Sequence, residues 1–295
     1  MSTPARRPLG APRHHHDEVG STNDEARRLG SAGAPHGTTV TATAQTAGRG
    51  RQGRPWVAPP GRALTVSVVL RDLREPALLP LAVAVAVART VGDDARIKWP
   101  NDVVLDPSPD GDGVVAGWAR PADGRAGTTI SDEPGTPAVS AADEPETPAL
   151  SPADGNAAGV PPLRKVAGIL CEGRPTEGWW VAGIGLNVAL DLATVPPEIA
   201  ARAATMGRDP SELESVLTEL LAHLADTVEL PAPTLLADWS SRDVLAGRHI
   251  GWERPGGGPG GEGVADGVDA QGRLRVRTAT GVEALDAGEV HLLKR

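Results

Sequence analysis

Phenylalanine and tyrosine are absent from this 295-residue chain, and seven tryptophans are its only aromatics. Valine, leucine, isoleucine and alanine must therefore fill the interior. A single cysteine, Cys171, excludes an intramolecular disulfide and a cysteine-based zinc cluster. No apolar run approaches the length of about 18 residues that a membrane helix needs, and Pro4 to His16 lacks the apolar stretch of a secretory signal. A cytoplasmic protein without membrane contact is expected. Positive charge is also scarce, the formal net being −9. Ten acidic residues against two arginines, a net of −8, fall within residues 106–163, so the remainder is close to neutral. The length allows one domain of about 200 residues and a smaller second one.

What is present is organised around glycine. Gly48-Arg49-Gly50-Arg51-Gln52-Gly53-Arg54-Pro55-Trp56 threads three cations between three glycines. Glycine permits close backbone approach, and each guanidinium offers a planar fork for carboxylate or phosphate, so the stretch reads as an anion clamp followed by a flat indole face. It also suits an arginine-glycine segment binding nucleic acid non-specifically, or a solvated basic turn. Thr38 to Gln45 and Leu64 to Leu70 read as the strands entering and leaving this loop.

Thr22 with Glu25 predicts a capping box and a helix through Leu29, ended by Gly30. His14, His15 and His16 read as part of a flexible polar leader rather than a metal site. Glu75 to Val91, with Pro80 in its first turn, reads as a buried helix despite its alternating Val and Ala. Ile97–Trp99, Val103–Leu105, Val166–Glu172 and Trp179–Val188 read as strands; Pro210–Leu230 and Pro233–Leu245 as helices. Residues 106–163 repeat an eleven-residue unit starting at Asp132 and again at Asp143, in a composition too polar to offset ordering entropy; a disordered acidic insert is expected. After Gly247, glycine-rich turns between short strands such as Arg273 to Thr278 predict a small β-barrel.

Lys98-Trp99-Pro100-Asn101-Asp102 places a cation, an amide and a carboxylate at a strand-turn-strand junction, a mix suited to a nucleotide with Mg²⁺ and also to a plain hairpin. Lys165 precedes a strand. Gly183 and Gly185 sit in an apolar strand that ends at Asn187, where a ligand against the backbone would explain them.

In this order, Ser21-Thr22-Asn23, Gln45 with the glycine-arginine loop, Lys98 to Asp102, Lys165 to Glu172, Gly183 to Asn187 and the terminal Gly263 to Leu274 stretch resemble biotin protein ligases (biotin–[acetyl-CoA-carboxylase] ligases). The resemblance implies an α/β (α+β) fold: a mixed-sheet catalytic domain of the biotin/lipoate ligase type over residues 14–246, interrupted by the insert at 106–163, then an SH3-like barrel over 247–295, with 1–13 as leader. It implies formation of biotinyl-5′-AMP from biotin and ATP with Mg²⁺, then transfer to a lysine of a biotin carboxyl carrier protein domain. By that similarity Arg51, Lys98 and Lys165 are catalytic. Ser21, Thr22, Asn23, Gln45, Gly48, Arg49, Gly50, Arg51, Lys165, Gly168 and Gly185 would contact biotin. Arg51, Arg54, Trp56, Lys98, Asn101, Asp102, Lys165 and Asn187 would contact the nucleotide, with Asp102 at the metal. Only about twenty residues precede Ser21, so the DNA-binding domain of ligases that double as repressors is not expected, nor DNA as partner; a monomer or weak homodimer is.

Relatives often carry aromatics after the clamp, where this chain has Val57 and Thr65, so the biotin wall is expected to be looser or built from Leu64 and Val66, with consequences for affinity. A lipoate or octanoate ligase or transferase would share the architecture, with Cys171 as the one available acyl-carrying thiol; its place inside a strand reads instead as a small packed residue.

Overall fold

The computed structural model describes residues 8–105, 163–254, 260–286 and 288–293. All but Leu163 of the expected acidic insert lies outside the described residues, as do residues 1–7. In chain order the elements are β1 (Arg13–Val19), α1 (Thr22–Ser31), β2 (Thr39–Gln45), β3 (Ala63–Arg71), α2 (Leu79–Val91), β4 (Ala95–Lys98), β5 (Asp102–Leu105), β6 (Arg164–Arg174) and β7 (Trp179–Asn187). There follow α3 (Pro197–Ala200), α4 (Leu213–Thr227), α5 (Ala232–Ser241), and β8 (His249–Glu253), β9 (Gly261–Val268), β10 (Leu274–Thr278), β11 (Gly281–Leu285) and β12 (Glu289–Leu292).

The first seven strands form one mixed sheet in the order β1-β2-β3-β7-β6-β5-β4, parallel at β1/β2 and antiparallel elsewhere. Its two faces differ because side chains alternate along each strand. On one face Leu64, Val66, Val68 and Leu70 of β3, with Ala182, Ile184 and Leu186 of β7, join the main core under α2. On the other, Val69, Val181 and Trp179 meet Val40, Ala26 and Leu29 in a smaller cluster under α1. Beyond that small cluster the second face is left open, and the site lies there.

Helix α2 is apolar all round and buried along nearly its whole length, as a helix between layers must be. The sheet covers one side and α4 and α5 the other; Arg89 holds Asp238 of α5 at 2.6 Å. Leu78 and Leu81 also reach Gly272 of the last domain, where a Cβ would stand 3.2 and 3.1 Å from their methyl carbons.

That last domain is a five-stranded antiparallel sheet in the order β11-β10-β9-β8-β12, the SH3-like element expected. Its β9–β10 turn accepts a hydrogen bond from Trp99, whose indole Nε1 donates to Gly272 O at 3.1 Å. Thus the second domain touches the turn that carries Asn101 and Asp102.

Three local expectations are corrected. The histidines are not in a flexible leader: Arg13 to Val19 pairs with β2 through its backbone, a bond that polar side chains do not hinder. The Thr22/Glu25 capping box does not form, because Thr22 turns to Gln45 and Glu25 to Arg28. Gly30 lies inside α1, buried against the Trp179 ring, and the left-handed residue after the helix is Gly33.

Candidate active site

One lateral row of paired residues crosses all seven strands: His16, Ala42, Thr65, Gly185, Gly168, Asp102, Lys98. Register puts these side chains on the open face. Two adjacent glycines therefore form a side-chain-free floor, with Thr65 on one flank and a carboxylate and a lysine on the other. Leu64 and Val66 face the main core instead, so they do not form the expected wall. The reason is the period of two: Thr65, between them, is the residue that faces the trench.

Trp56 lies on this floor. A Cβ at Gly185 would overlap its indole, and one at Gly168 would stand 3.2 Å from its Cζ3. The loop that carries it is a small hairpin: Trp56 N donates to Gly48 O at 2.8 Å and Gly50 N to Arg54 O at 2.7 Å, with a 3₁₀ turn at Arg51–Gly53. Gln52 and Gly53 are left-handed, at φ 56 and 76°. Gly48 admits no side chain, since a Cβ would overlap Trp56 O. The hairpin is tied on both banks, Arg49 to Asp24 of α1 and Arg51 Nη1 to Asn101 Oδ1 at 3.4 Å. Arg54 is exposed and Lys98 half-exposed.

Lys165 reaches the trench because of a bulge. The β5–β6 register slips between Val103, paired with Ala167, and Val104, paired with Lys165, leaving Val166 as the extra residue. Val166 and Ala167 are consecutive yet both in the main core, which turns Lys165 to the open face. There Nζ lies 2.6 Å from Asp102 Oδ1 and 5.8 Å from the Trp56 ring centroid. Asn101 holds its turn against β6, donating Nδ2 to Ile169 O at 3.0 Å and accepting from Ile169 N at 2.9 Å. Asn187 is buried on the same face, its Nδ2 donating to Ala204 O at 3.0 Å.

At the other end of the trench, Ser21, Thr22 and Asn23 open α1 and are all buried. Thr22 N and Oγ1 lie 2.8 and 3.2 Å from Gln45 Oε1. Both ends of the Asn23 amide are engaged by protein: Nδ2 donates to Glu172 Oε2 at 2.8 Å, and Oδ1 accepts from Ser67 Oγ at 2.8 Å. Glu172, as a site carboxylate, and Ser67 were missed in sequence; a hydroxyl in the otherwise apolar run Val66 to Leu70 was the available signal.

Arg51, Lys165, Asp102, Asn101, Trp56, Gly168 and Gly185 are thus brought together, with Thr22, Asn23 and Gln45 at the far end. Cys171 is not among them. Packed against the main core, its thiol is pushed up to about 12 by burial and by neighbouring Glu172. Among the described residues no three His, Cys, Asp or Glu side chains gather as a metal cluster. Asp102 alone fits an ion held chiefly by phosphates and water.

A cation-lined trench over bare strand backbone thus lies under a glycine-arginine hairpin on a mixed sheet, beside an SH3-like sheet. Residues 18–119 match the biotin/lipoate A/B protein ligase family, and 247–293 match the biotin protein ligase C-terminal domain. The chain belongs to the biotin protein ligase family. It is 26% identical over 288 residues to a biotin–[acetyl-CoA-carboxylase] ligase of Mycobacterium tuberculosis, covering 92% of this chain and 86% of that one. It is 40% identical to the bifunctional ligase/repressor BirA of Bacillus subtilis over 98 residues, 31% of this chain and 30% of that protein, so the match spans under a third of that relative. The fold resembles the biotin protein ligase of Aquifex aeolicus in complex with biotin and ATP, with TM-score 0.63 and 22% identity over 97% of this chain and 100% of that one.

Proposed function

We propose that this chain is an ATP-dependent biotin protein ligase: it joins the biotin carboxylate to the α-phosphate of ATP, then transfers biotin to a lysine of a biotin carboxyl carrier protein domain. The carrying observation is the convergence of Lys165, Asp102 and Arg51 beside the Gly168–Gly185 floor. Joining a carboxylate to a phosphate brings two anions together, so positioned cations contribute more than a covalent nucleophile.

In the first step a carboxylate oxygen bonds the α-phosphorus and pyrophosphate leaves. In the second the carrier ε-amine bonds the acyl carbon, loses a proton, and AMP leaves. Lys165 and Arg51 stand where they can offset the charge of the reacting carboxylate and phosphate, with Lys98 and Arg54 farther out for the phosphates and Trp56 and Asn187 for the nucleoside. Ser21, Thr22, Asn23 and Gln45 form the polar end for the biotin ring; Gly48, Arg49 and Gly50 belong to the lid, and Gly168 and Gly185 leave room beneath. Asp102 is the side chain suited to Mg²⁺, which when bound lowers the phosphate charge.

The lipoate or octanoate reading is less well supported. A dithiolane or alkyl end has no use for the Thr22–Gln45 polar pocket, and a thiol at about 12 is a poor acyl carrier at neutral pH. The proposal includes a monomer or weak homodimer in the cytoplasm, with neither DNA nor membrane as partner; among the described residues no helix is long and apolar enough to cross a membrane.

The test mixes purified protein with biotin, MgATP and an apo carrier domain, following pyrophosphate release and carrier mass. Biotin-dependent pyrophosphate and a carrier heavier by one biotinyl group are expected. Modification by octanoate but not biotin would overturn the assignment.

A further inference from the structure

We propose that Trp99 and Asp269 are positioning residues: the Asp269–Arg273 turn of the last domain takes the Trp99 indole N–H on Gly272 O and so fixes the end of β4 that aims Lys98 at the phosphates of the nucleotide. This rests on the biotin ligase reading and deepens it by giving the Gly263 to Leu274 stretch a task in the first reaction step.

β4 is the outermost strand of its sheet, so the ladder holds it on one side only, where Lys98 pairs with Asp102. On the outer side Ile97 is held by the segment after α5, its N donating to Arg242 O at 2.8 Å and its O accepting from Val244 N at 3.1 Å. The far end of the β4–β5 turn is secured separately, because Asn101 bonds Ile169 in both directions, through Nδ2 at 3.0 Å and through its backbone O at 2.9 Å. Lys98 has no comparable anchor. Among the described residues its ammonium makes no hydrogen bond or ion pair. Its aim is therefore that of the backbone beneath it, and the next residue along that backbone is Trp99.

Trp99 points the opposite way, as alternation requires. It is 2% exposed in the main core, and its Nε1 reaches Gly272 O at 3.1 Å. An indole offers a single donor, and in an apolar core the loss of its acceptor leaves that donor unsatisfied, so the bond fixes a direction as well as a contact. The acceptor is held as firmly as the donor. Asp269 Oδ1 accepts from Gln271 N at 2.9 Å and Arg273 N at 3.0 Å, and Oδ2 accepts from Arg273 Nε at 2.7 Å. Gly272 N donates to Asp269 O at 2.9 Å and Asp269 N to Arg273 O at 3.0 Å, which closes the turn. Gly272 is left-handed, at φ 78°, and a Cβ there would stand 3.1 Å from Leu81 Cδ1 and 3.2 Å from Leu78 Cδ2. A turn whose own bonds are complete, seated on two leucines, is a rigid stop for the segment on which Lys98 stands.

The experiment measures biotin-dependent pyrophosphate release by the full chain over a range of ATP concentrations, with biotin affinity from calorimetry alongside. Trp99→Phe keeps an aromatic ring in the core and removes the indole N–H; Asp269→Ala loosens the acceptor from the other domain. Each should raise KM for ATP several-fold while biotin affinity stays within about twofold. Lys98→Met should raise KM for ATP about tenfold or more, and in that background neither Trp99→Phe nor Asp269→Ala should add to the loss, because the group they position is gone. A merely structural role multiplies the losses instead. Multiplied losses in the combined variants overturn the inference, as does an unchanged KM for ATP in the folded single variants. Circular dichroism checks folding; should Trp99→Phe fold poorly, Asp269→Ala carries the test. A wild type that releases no pyrophosphate with biotin and ATP overturns the ligase reading, whereas a working wild type with multiplied losses overturns this inference alone.

Discussion

Lys165 Nζ and Asp102 Oδ1 stand 2.6 Å apart across the β5–β6 register slip, the lysine from the bulged strand and the carboxylate from the first residue of β5. Neither is deeply buried, their side chains being 37% and 25% exposed. A half-exposed ion pair contributes about 0–1 kcal/mol to stability. The pair is therefore poorly explained as a structural brace and better as charge placed for a ligand.

That magnitude separates two outcomes. Lys165→Ala should leave the denaturation midpoint nearly unchanged while slowing biotin-dependent pyrophosphate release by about 10²- to 10³-fold, the usual loss when one positioned charge partner is removed. Arg51→Ala should do the same with a smaller loss, because its reach to Asn101 is long at 3.4 Å. Near-normal release in both variants would remove the roles assigned to them.

Gly185→Ala tests the floor. The added methyl would overlap the Trp56 indole, so the hairpin must rise from the trench, whereas a strand accepts alanine readily. Biotin affinity by calorimetry should fall at least about tenfold with little change in thermal stability. Unchanged affinity would mean that nothing needs the space over this glycine.

Much of this site was legible from residue types. Gly183 and Gly185 weaken an apolar strand unless a ligand lies against it, and three arginines among glycines suit an anion clamp as well as a solvated basic turn, so residue type marks both stretches and only their order along the chain separates the readings. What was not legible depends on register. Ser67 and Gly183 are neighbours only because β3 pairs with β7, and Glu172 reaches Asn23 from β6. The bulge that turns Lys165 inward has no sequence mark. Leu64 and Val66 turn to the main core rather than the trench, and their composition does not say so: hydrophobicity tells which residues are buried, not which face of the sheet buries them. β1 carries no apolar strand signal, because its side chains, three histidines among them, are mostly polar, and their contacts, such as Arg13 Nε and His15 Nδ1 with Thr41 Oγ1, exist only once β1 lies beside β2.

The hairpin closes with two ties that a bound anion would compete for or reinforce, Arg49 to Asp24 and Arg51 to Asn101. A lid that excludes water from an acyl-phosphate anhydride should open for substrate and tighten afterwards. Limited trypsin digestion should therefore cut after Arg49 or Arg51 several-fold more slowly with biotin and ATP present than without. Equal rates at these arginines in both conditions would count against a moving lid.

Cys171 offers a check on the rival chemistry. With its thiol at about 12, under one part in about 10⁴ is thiolate at pH 7, too little for acyl transfer at useful rates. Cys171→Ala should keep carrier biotinylation within about twofold and cost only the modest stability of a small packed side chain. A mass adduct on Cys171 after incubation with an acyl donor, or loss of transfer in the variant, would instead revive the acyl-cysteine reading.

Asp243 ties pH to the seam between α5 and β4, where Ile97 N donates to Arg242 O and Val244 N to Ile97 O. Burial raises its carboxyl from 3.8 to about 6, partly opposed by hydrogen bonds from the Leu245 and Ala246 backbone. Oδ2 is buried without a hydrogen-bond partner. Between these two pKa values the folded chain holds more protons than the unfolded one, so the contribution of this group to stability falls as pH rises from about 4 through 6. The shift corresponds to about 3 kcal/mol at neutral pH. Urea denaturation of the wild type and Asp243→Asn at pH 4.5 and 7 isolates it, because the other carboxylates titrate alike in both. The wild type should lose about 2 kcal/mol relative to the variant over that interval; parallel pH profiles would show that Asp243 is not held in its neutral form by the fold.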